Sequence, residues 1–229
     1  MRKMITVKIN GEERQYPQGA TYEDVANDYQ KEYDNLIALA ARDGKIRELF
    51  KKLTRDCEIT FFTLKDNVGN KTYVRSATML FLKAVFDVYG REAAQNCRVE
   101  FAVGNGSYIS PRGQIASTAD NAAKIQDRMR ELVAAKTPFL KRSYALDNAM
   151  ELFHTEGMKD KEKLFRYRRG SFVNIYEMDG YYDYYYGYML PNAGYVKWFD
   201  VIAYDEGFML LLPDKQDPTN VTPFVERKM

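Results

Sequence analysis

Polar and apolar side chains alternate over Met4–Ile9, the two-residue period of a half-buried strand. Asn10-Gly11 follows as a hairpin turn signal, and Glu13–Tyr16 is predicted to return antiparallel. Pro17 and Gly19 break that strand. Thr21 is a good N-cap for a helix over Tyr22–Lys31 whose apolar face is Val25, Ala26 and Tyr29. Leu36–Ala41 reads as a strand closed by an Asp43-Gly44 turn, and Glu58–Thr63 as another. The order β-β-α-β-β predicts a small half-open sheet packed on one helix.

Beyond it the polar stretch Asp66–Thr72 reads as a boundary. Ser76 is predicted to cap a helix reaching Tyr89, with Met79, Leu82, Val85, Phe86 and Tyr89 on one face and Gly90 as its stop. A hairpin is expected over Val99–Val103, Gly104-Asn105-Gly106 and Tyr108. A long helix then begins at Ser117 or Thr118, carries Ile125, Met129, Leu132 and Val133, and stops before Pro138. Ser143 is predicted to open a further helix ending at Gly157, and Lys161–Arg166 makes another turn. The remainder alternates as strands over Phe172–Tyr176, Tyr182–Leu190, Val196–Tyr204 and Phe208–Leu212, followed by a proline-containing tail from Pro213. The expected fold class is α+β with an antiparallel sheet in the second part.

Composition narrows the chemistry. The 229 residues carry 34 Lys and Arg against 32 Asp and Glu, so the net charge is only +2 and gives no broad nucleic-acid footprint. No apolar run suits a membrane span and no signal-peptide centre follows Met1, so a cytoplasmic protein is expected. The two cysteines, Cys57 and Cys97, lack metal-type spacing and are expected to be reduced and buried. There is one histidine, His154, expected on a helix surface, and there are 18 tyrosines.

The run Met4–Thr63, with Gly11, the Tyr16-Pro17-x-Gly19 turn and Asp43-Gly44-Lys45, resembles a TGS domain, the β-grasp (ubiquitin-like) module of threonyl-tRNA synthetases. From about Thr72 the chain resembles the editing domain that follows TGS in those enzymes. The carrying motifs are Val74-Arg75-Ser76-Ala77-Thr78-Met79-Leu80, the hairpin Val103–Tyr108, and Asp183–Asn192 with Gly187 and Pro191. The resemblance implies a TGS domain over 1–65, a degenerate editing-like domain over 70–213 and a linker over 214–229. Where the family has its His, His, Cys and His, this chain has Arg75, Met79, Tyr185 and Met189. On that reading deacylase chemistry is lost, no metal is held, and Arg75, Met79, Asp183, Tyr185 and Met189 line a cleft able to bind a ligand.

Together with Glu151–His154, Lys163–Arg169 and Tyr186–Pro191, the two modules resemble the N-terminal region of a bacterial nucleoside kinase of the uridine kinase type. That resemblance implies a following P-loop kinase domain. No Gly-x-x-x-x-Gly-Lys-Ser/Thr occurs here, so ATP and Mg are expected only with that domain and no cofactor in this segment. The expected role is a non-catalytic accessory region that binds a regulatory ligand, nucleotide or RNA, or positions the kinase domain, its partner. An editing-type aminoacyl-tRNA hydrolase and a structural or oligomerisation module are the alternatives. Three local readings stay open. The tyrosines of 181–188 either stack a base or pack as a two-sided strand. Arg166, Arg168 and Arg169 either grip phosphates or end a solvated helix. Arg75 either contacts an anion or forms an ion pair with Asp183.

Overall fold

The structure, a computed structural model, describes residues 3–104, 106–167 and 170–224. Strand β1 (Met4–Ile9) pairs antiparallel with β2 (Glu12–Pro17) through Asn10 and Gly11, whose φ of 51° and 88° suit a tight hairpin turn. Helix α1 (Tyr22–Tyr29) starts at a complete capping box: Thr21 Oγ accepts from Asp24 N, and the Asp24 carboxylate accepts from Thr21 N. It continues as a short 3-10 turn, Gln30–Glu32. Strands β3 (Ile37–Arg42), β4 (Lys45–Glu48) and β5 (Cys57–Thr63) complete a sheet of order β2-β1-β5-β3-β4 with β1 and β5 parallel, the β-grasp arrangement.

That sheet is covered on both faces. Ile5, Val7, Ile9, Val25 and Tyr29 form a core with α1, whereas Ala38, Leu39 and Leu64 belong to the core of the rest of the chain. Burial of each large apolar side chain contributes about 1.5–3 kcal/mol, so the sheet is anchored from either side.

The second face is supplied by helix α2 (Asn67–Tyr89), 23 residues long. It begins nine residues before the expected Ser76 start, so Asp66–Thr72 supplies its N-cap and first turns. Gly69 explains the sharp passage from β5: a Cβ there would lie 2.0 Å from the Thr63 carbonyl oxygen. From Ser76 to Val85 every residue of α2 is buried, so the predicted single apolar face is an all-round core helix. Lys83, 2% exposed, is tolerated because its ammonium meets the Asp87 carboxylate and the Asp179 carbonyl oxygen, each at 2.7 Å.

Around α2 sit α3 (Arg91–Asn96), α4 (Ala119–Ala134) and two antiparallel sheets, which makes the fold mixed α+β. The first sheet has the order β11-β12-β7-β6, from β6 (Arg98–Val103), β7 (Gly106–Ser110), β11 (Asp200–Tyr204) and β12 (Gly207–Leu211). The second has the order β10-β9-β8, from β8 (Leu140–Ala145), β9 (Phe172–Met178) and β10 (Tyr181–Asp183). Helices α5 (Leu146–Thr155) and α6 (Lys159–Arg166) flank it.

Two expectations are corrected here. Ser143 lies in β8, paired with Asn174, and the helix starts only at Leu146. The strand expected over Tyr182–Leu190 ends at Asp183, and residues 184–190 run as an irregular segment. Among the described residues no helix is long and apolar enough to cross a membrane.

Candidate functional site

The segment 184–190 leaves the ladder because its backbone is claimed by side chains of other elements. Arg75, in the third turn of α2, donates from Nη1 to the Tyr188 carbonyl at 2.6 Å. Ser76 Oγ accepts from Leu190 N at 2.9 Å and donates to Thr72 O in its own helix. Gly187 adopts φ 137°, and a Cβ there would lie 2.6 Å from the Arg75 Cζ, so the guanidinium occupies the space a side chain would need.

Behind Arg75 stands a buried polar network that crosses from the β-grasp sheet into the second part. The Glu48 carboxylate at the end of β4, 3% exposed, accepts from Met189 N at 3.2 Å and faces Lys141 Nζ at 3.1 Å. The Tyr176 hydroxyl donates to Glu48 and lies 2.8 Å from the Gly187 carbonyl oxygen. Burial lowers the Arg75 pKa, and the nearby Tyr176 and Glu48 oppose that shift. A buried carboxylate persists when donors satisfy it from several sides, and Glu48 has three such neighbours.

The expected Arg75–Asp183 pair does not form. Asp183, 6% exposed, accepts from Tyr184 N at 2.6 Å and faces Lys161 Nζ at 3.4 Å. Tyr181 Oη also reaches it, at 3.4 Å. Since Arg75 sits inside the helix and not at its start, its side chain reaches the carbonyl of residue 188 on the opposite side of the segment from Asp183.

A cavity of about 240 Å³ opens on that other side, lined by Thr78 and Leu82 of α2, Cys97, Arg98, Lys161 of α6, Asp183 and Tyr185. The Tyr185 hydroxyl is buried beside the Asp183 carboxylate and makes no well-formed hydrogen bond. Burial and the adjacent Asp183 carboxylate hold its pKa well above the usual phenol range. Burial pushes the Cys97 thiol up to about 12, so it is a neutral thiol and not a nucleophile.

The structure therefore divides the expected site. Asp183 and Tyr185 meet at the cavity. Arg75 lies on the closed side, and Met79 and Met189 are fully buried core residues. Arg166 ends α6 in an exposed pair with Glu162 at 3.7 Å, and Arg168 and Arg169 lie outside the described residues. Of the tyrosines of 181–188, Tyr181 and Tyr182 sit in β10 and pack into different cores, as a two-sided strand would, whereas beyond it Tyr184 packs edge-on against Phe165 and Tyr186 is 88% exposed. Glu48, Lys141 and Tyr176 escaped sequence reading because only the meeting of two modules brings Glu48 to the other two; Ser76, expected as a helix cap, instead holds Leu190 N. Lys161 had a signal, as part of a basic run. Among the described residues no three His, Cys, Asp or Glu side chains are grouped to hold a metal.

No family model matches the chain. It is 27% identical over 208 residues to a threonine–tRNA ligase of Thermotoga maritima, which covers 87% of the chain and 30% of the relative. It is 25% identical over 194 residues to that of Porphyromonas gingivalis, covering 82% of the chain and 29% of the relative. It is 28% identical over 189 residues to that of Rhizobium etli, covering 82% and 28%. Over more than four-fifths of its length the chain is thus similar to threonine–tRNA ligases, and it spans about 30% of the length of these relatives.

Proposed function

We propose that this chain is an editing-type, tRNA-directed module whose cavity between α2, α6 and β10 receives the aminoacyl end of a tRNA. The observation that carries the reading is an unsatisfied buried hydroxyl, Tyr185, beside a buried carboxylate, Asp183, in one cavity. Buried polar atoms left without a partner call for an explanation, and a ligand that completes them is one. An aminoacyl ester presents an ammonium and a carbonyl close together. Asp183 suits the first as an acceptor, and the Tyr185 hydroxyl suits the second as a donor.

Release of the amino acid needs a water aligned on the ester carbonyl. Asp183 is the carboxylate beside Tyr185, and its place there suits it to orient that water. No imidazole lines the cavity and the Cys97 thiol is neutral, so turnover is expected to be slow. The similarity to threonine–tRNA ligases supports a tRNA-related role and a cytoplasmic setting. An accessory role on a nucleoside kinase draws no support from those relatives.

Binding of aminoacylated and deacylated tRNA, with amino-acid release followed in parallel, tests the reading. The aminoacylated form is expected to bind at least tenfold more tightly, and Asp183→Asn or Tyr185→Phe to remove that preference. Equal binding of the two forms, with release no faster than in buffer, would sink it.

A further inference from the structure

The near-neutral total charge conceals a predominantly basic groove. Where the end of β4 meets the segment after α4, a depression of about 620 Å³ is lined by Lys51, Lys52, Lys136, Lys141 and Arg142, with Glu23 as its one carboxylate. Lys141 is paired with Glu48 and Arg142 with Glu177. Lys51, Lys52 and Lys136 are exposed and, among the described residues, have no carboxylate partner. A concave wall with a local excess of positive charge focuses its field on whatever enters.

The groove is built and not merely decorated. Lys52 bridges Thr21, the Lys51 carbonyl accepts from Tyr22 N at 2.9 Å, and on the far wall Pro138 bridges Asn192. Lys136 adopts φ 51°, the left-handed region where glycine is usual after a helix. Such strain costs of order 1–3 kcal/mol and gathers at functional positions. Phe50, half-buried, adds an aromatic face with the Lys51 ammonium 5.2 Å from its ring centre.

We propose that this groove binds a compact oligophosphate, as free triphosphate or as the triphosphate of a nucleoside. Three unpaired ammonium groups around one hollow match several adjacent negative charges. The volume is that of a small-molecule site. A continuous RNA backbone fits less well, because the Glu23 carboxylate lines both this groove and the adjoining cleft and breaks the positive run. The inference rests on this seam and not on the cavity reading.

Calorimetric titration of the full chain with inorganic tripolyphosphate, ATP and a single-stranded RNA 12-mer tests it. Tripolyphosphate is expected to bind, and the double variant Lys51→Ala, Lys136→Ala to weaken it at least thirtyfold. Glu23→Gln is expected to tighten it about threefold. Lys136→Gly separates charge from folding: it should raise the melting temperature while weakening tripolyphosphate at least fivefold. ATP tighter than tripolyphosphate, with the excess lost in Phe50→Ala, assigns a nucleoside source; equal affinities assign the phosphates alone. Asp183→Asn should leave tripolyphosphate binding unchanged, which separates this site from the cavity. Absence of tripolyphosphate binding at millimolar concentration, the same affinity in the double variant, or tighter RNA binding that displaces tripolyphosphate overturns the proposal.

Discussion

The segment 184–190 has two sides that treat polar groups in opposite ways. Toward β4 and β8, Arg75, Glu48, Lys141 and Tyr176 answer one another, and the Gly187 and Tyr188 carbonyls are taken up. Toward α6 and β6, the Tyr185 hydroxyl is buried with no partner and a cavity stays open. The first side is filled and acts as structure: it fixes the segment and locks the β-grasp sheet to the rest. The second side is incomplete, which is how recognition sites differ from cores. Arg75 and Tyr185 occupy equivalent-looking places in the sequence motifs, yet only Tyr185 faces the open side.

The contrast can be broken experimentally, and Glu48→Ala is expected to have the largest effect. Removing one member of a buried, paired charge network typically costs about 3–5 kcal/mol, measurable as a lower urea midpoint. A loss under about 1 kcal/mol would mean the closed side is not the lock described.

Alkaline pH comes next. The Cys97 thiol titrates near 12 in the fold against 9.0 ordinarily. A folded pKa above the unfolded one means its stabilising contribution is intact below about pH 9 and disappears as pH climbs toward 12. Tyr176, Tyr181 and Tyr185 are shifted upward by burial in the same sense. Cys97 alone accounts for about 4 kcal/mol at most. Urea unfolding at pH 8 and pH 11 checks it, and Cys97→Ala should flatten the profile.

Gly187→Ala is expected to cost about 1–3 kcal/mol through backbone strain and the collision with Arg75. A double-mutant cycle with Arg75→Ala should recover part of the loss, because the collision disappears with the guanidinium. Strict additivity would place the strain elsewhere. Tyr185→Phe has the smallest effect on stability. Deleting a buried hydroxyl that makes no well-formed hydrogen bond should change unfolding by less than about 1 kcal/mol, in the stabilising direction, while removing the preference for aminoacylated tRNA. A large destabilisation would show that the hydroxyl already has a structural partner.

Much of the first sheet was legible in sequence, because its signals are local. Asn10-Gly11, the Thr21 N-cap and Asp43-Gly44 each act within a few residues, and all appear where expected. Two local signals misled. Ser76 reads as a helix cap, but Gly69 lets α2 start at Asn67 by close approach to Thr63. The alternation over 182–190 suggested a strand, but side chains from α2, β4 and β9 took its carbonyls and amides. Of the expected cleft residues, Asp183 and Tyr185 line the cavity, and Lys161, which faces Asp183, lies over twenty residues away in a different element.

By itself the sequence determined the turns and the cap of the β-grasp sheet, most of the helices, and which side chains are apolar enough to seek a core, since these follow from neighbours three or four positions apart. Tertiary structure alone decided that Glu48 of one module would satisfy Tyr176 and Lys141 of the other, and that Tyr185 would be left unanswered. It also gathered Lys51 and Lys52 with Lys136 at one seam, more than eighty positions apart. Charge and hydrogen-bonding capacity are properties of residues, but whether they are satisfied depends on distances in space, which the chain reaches only by folding.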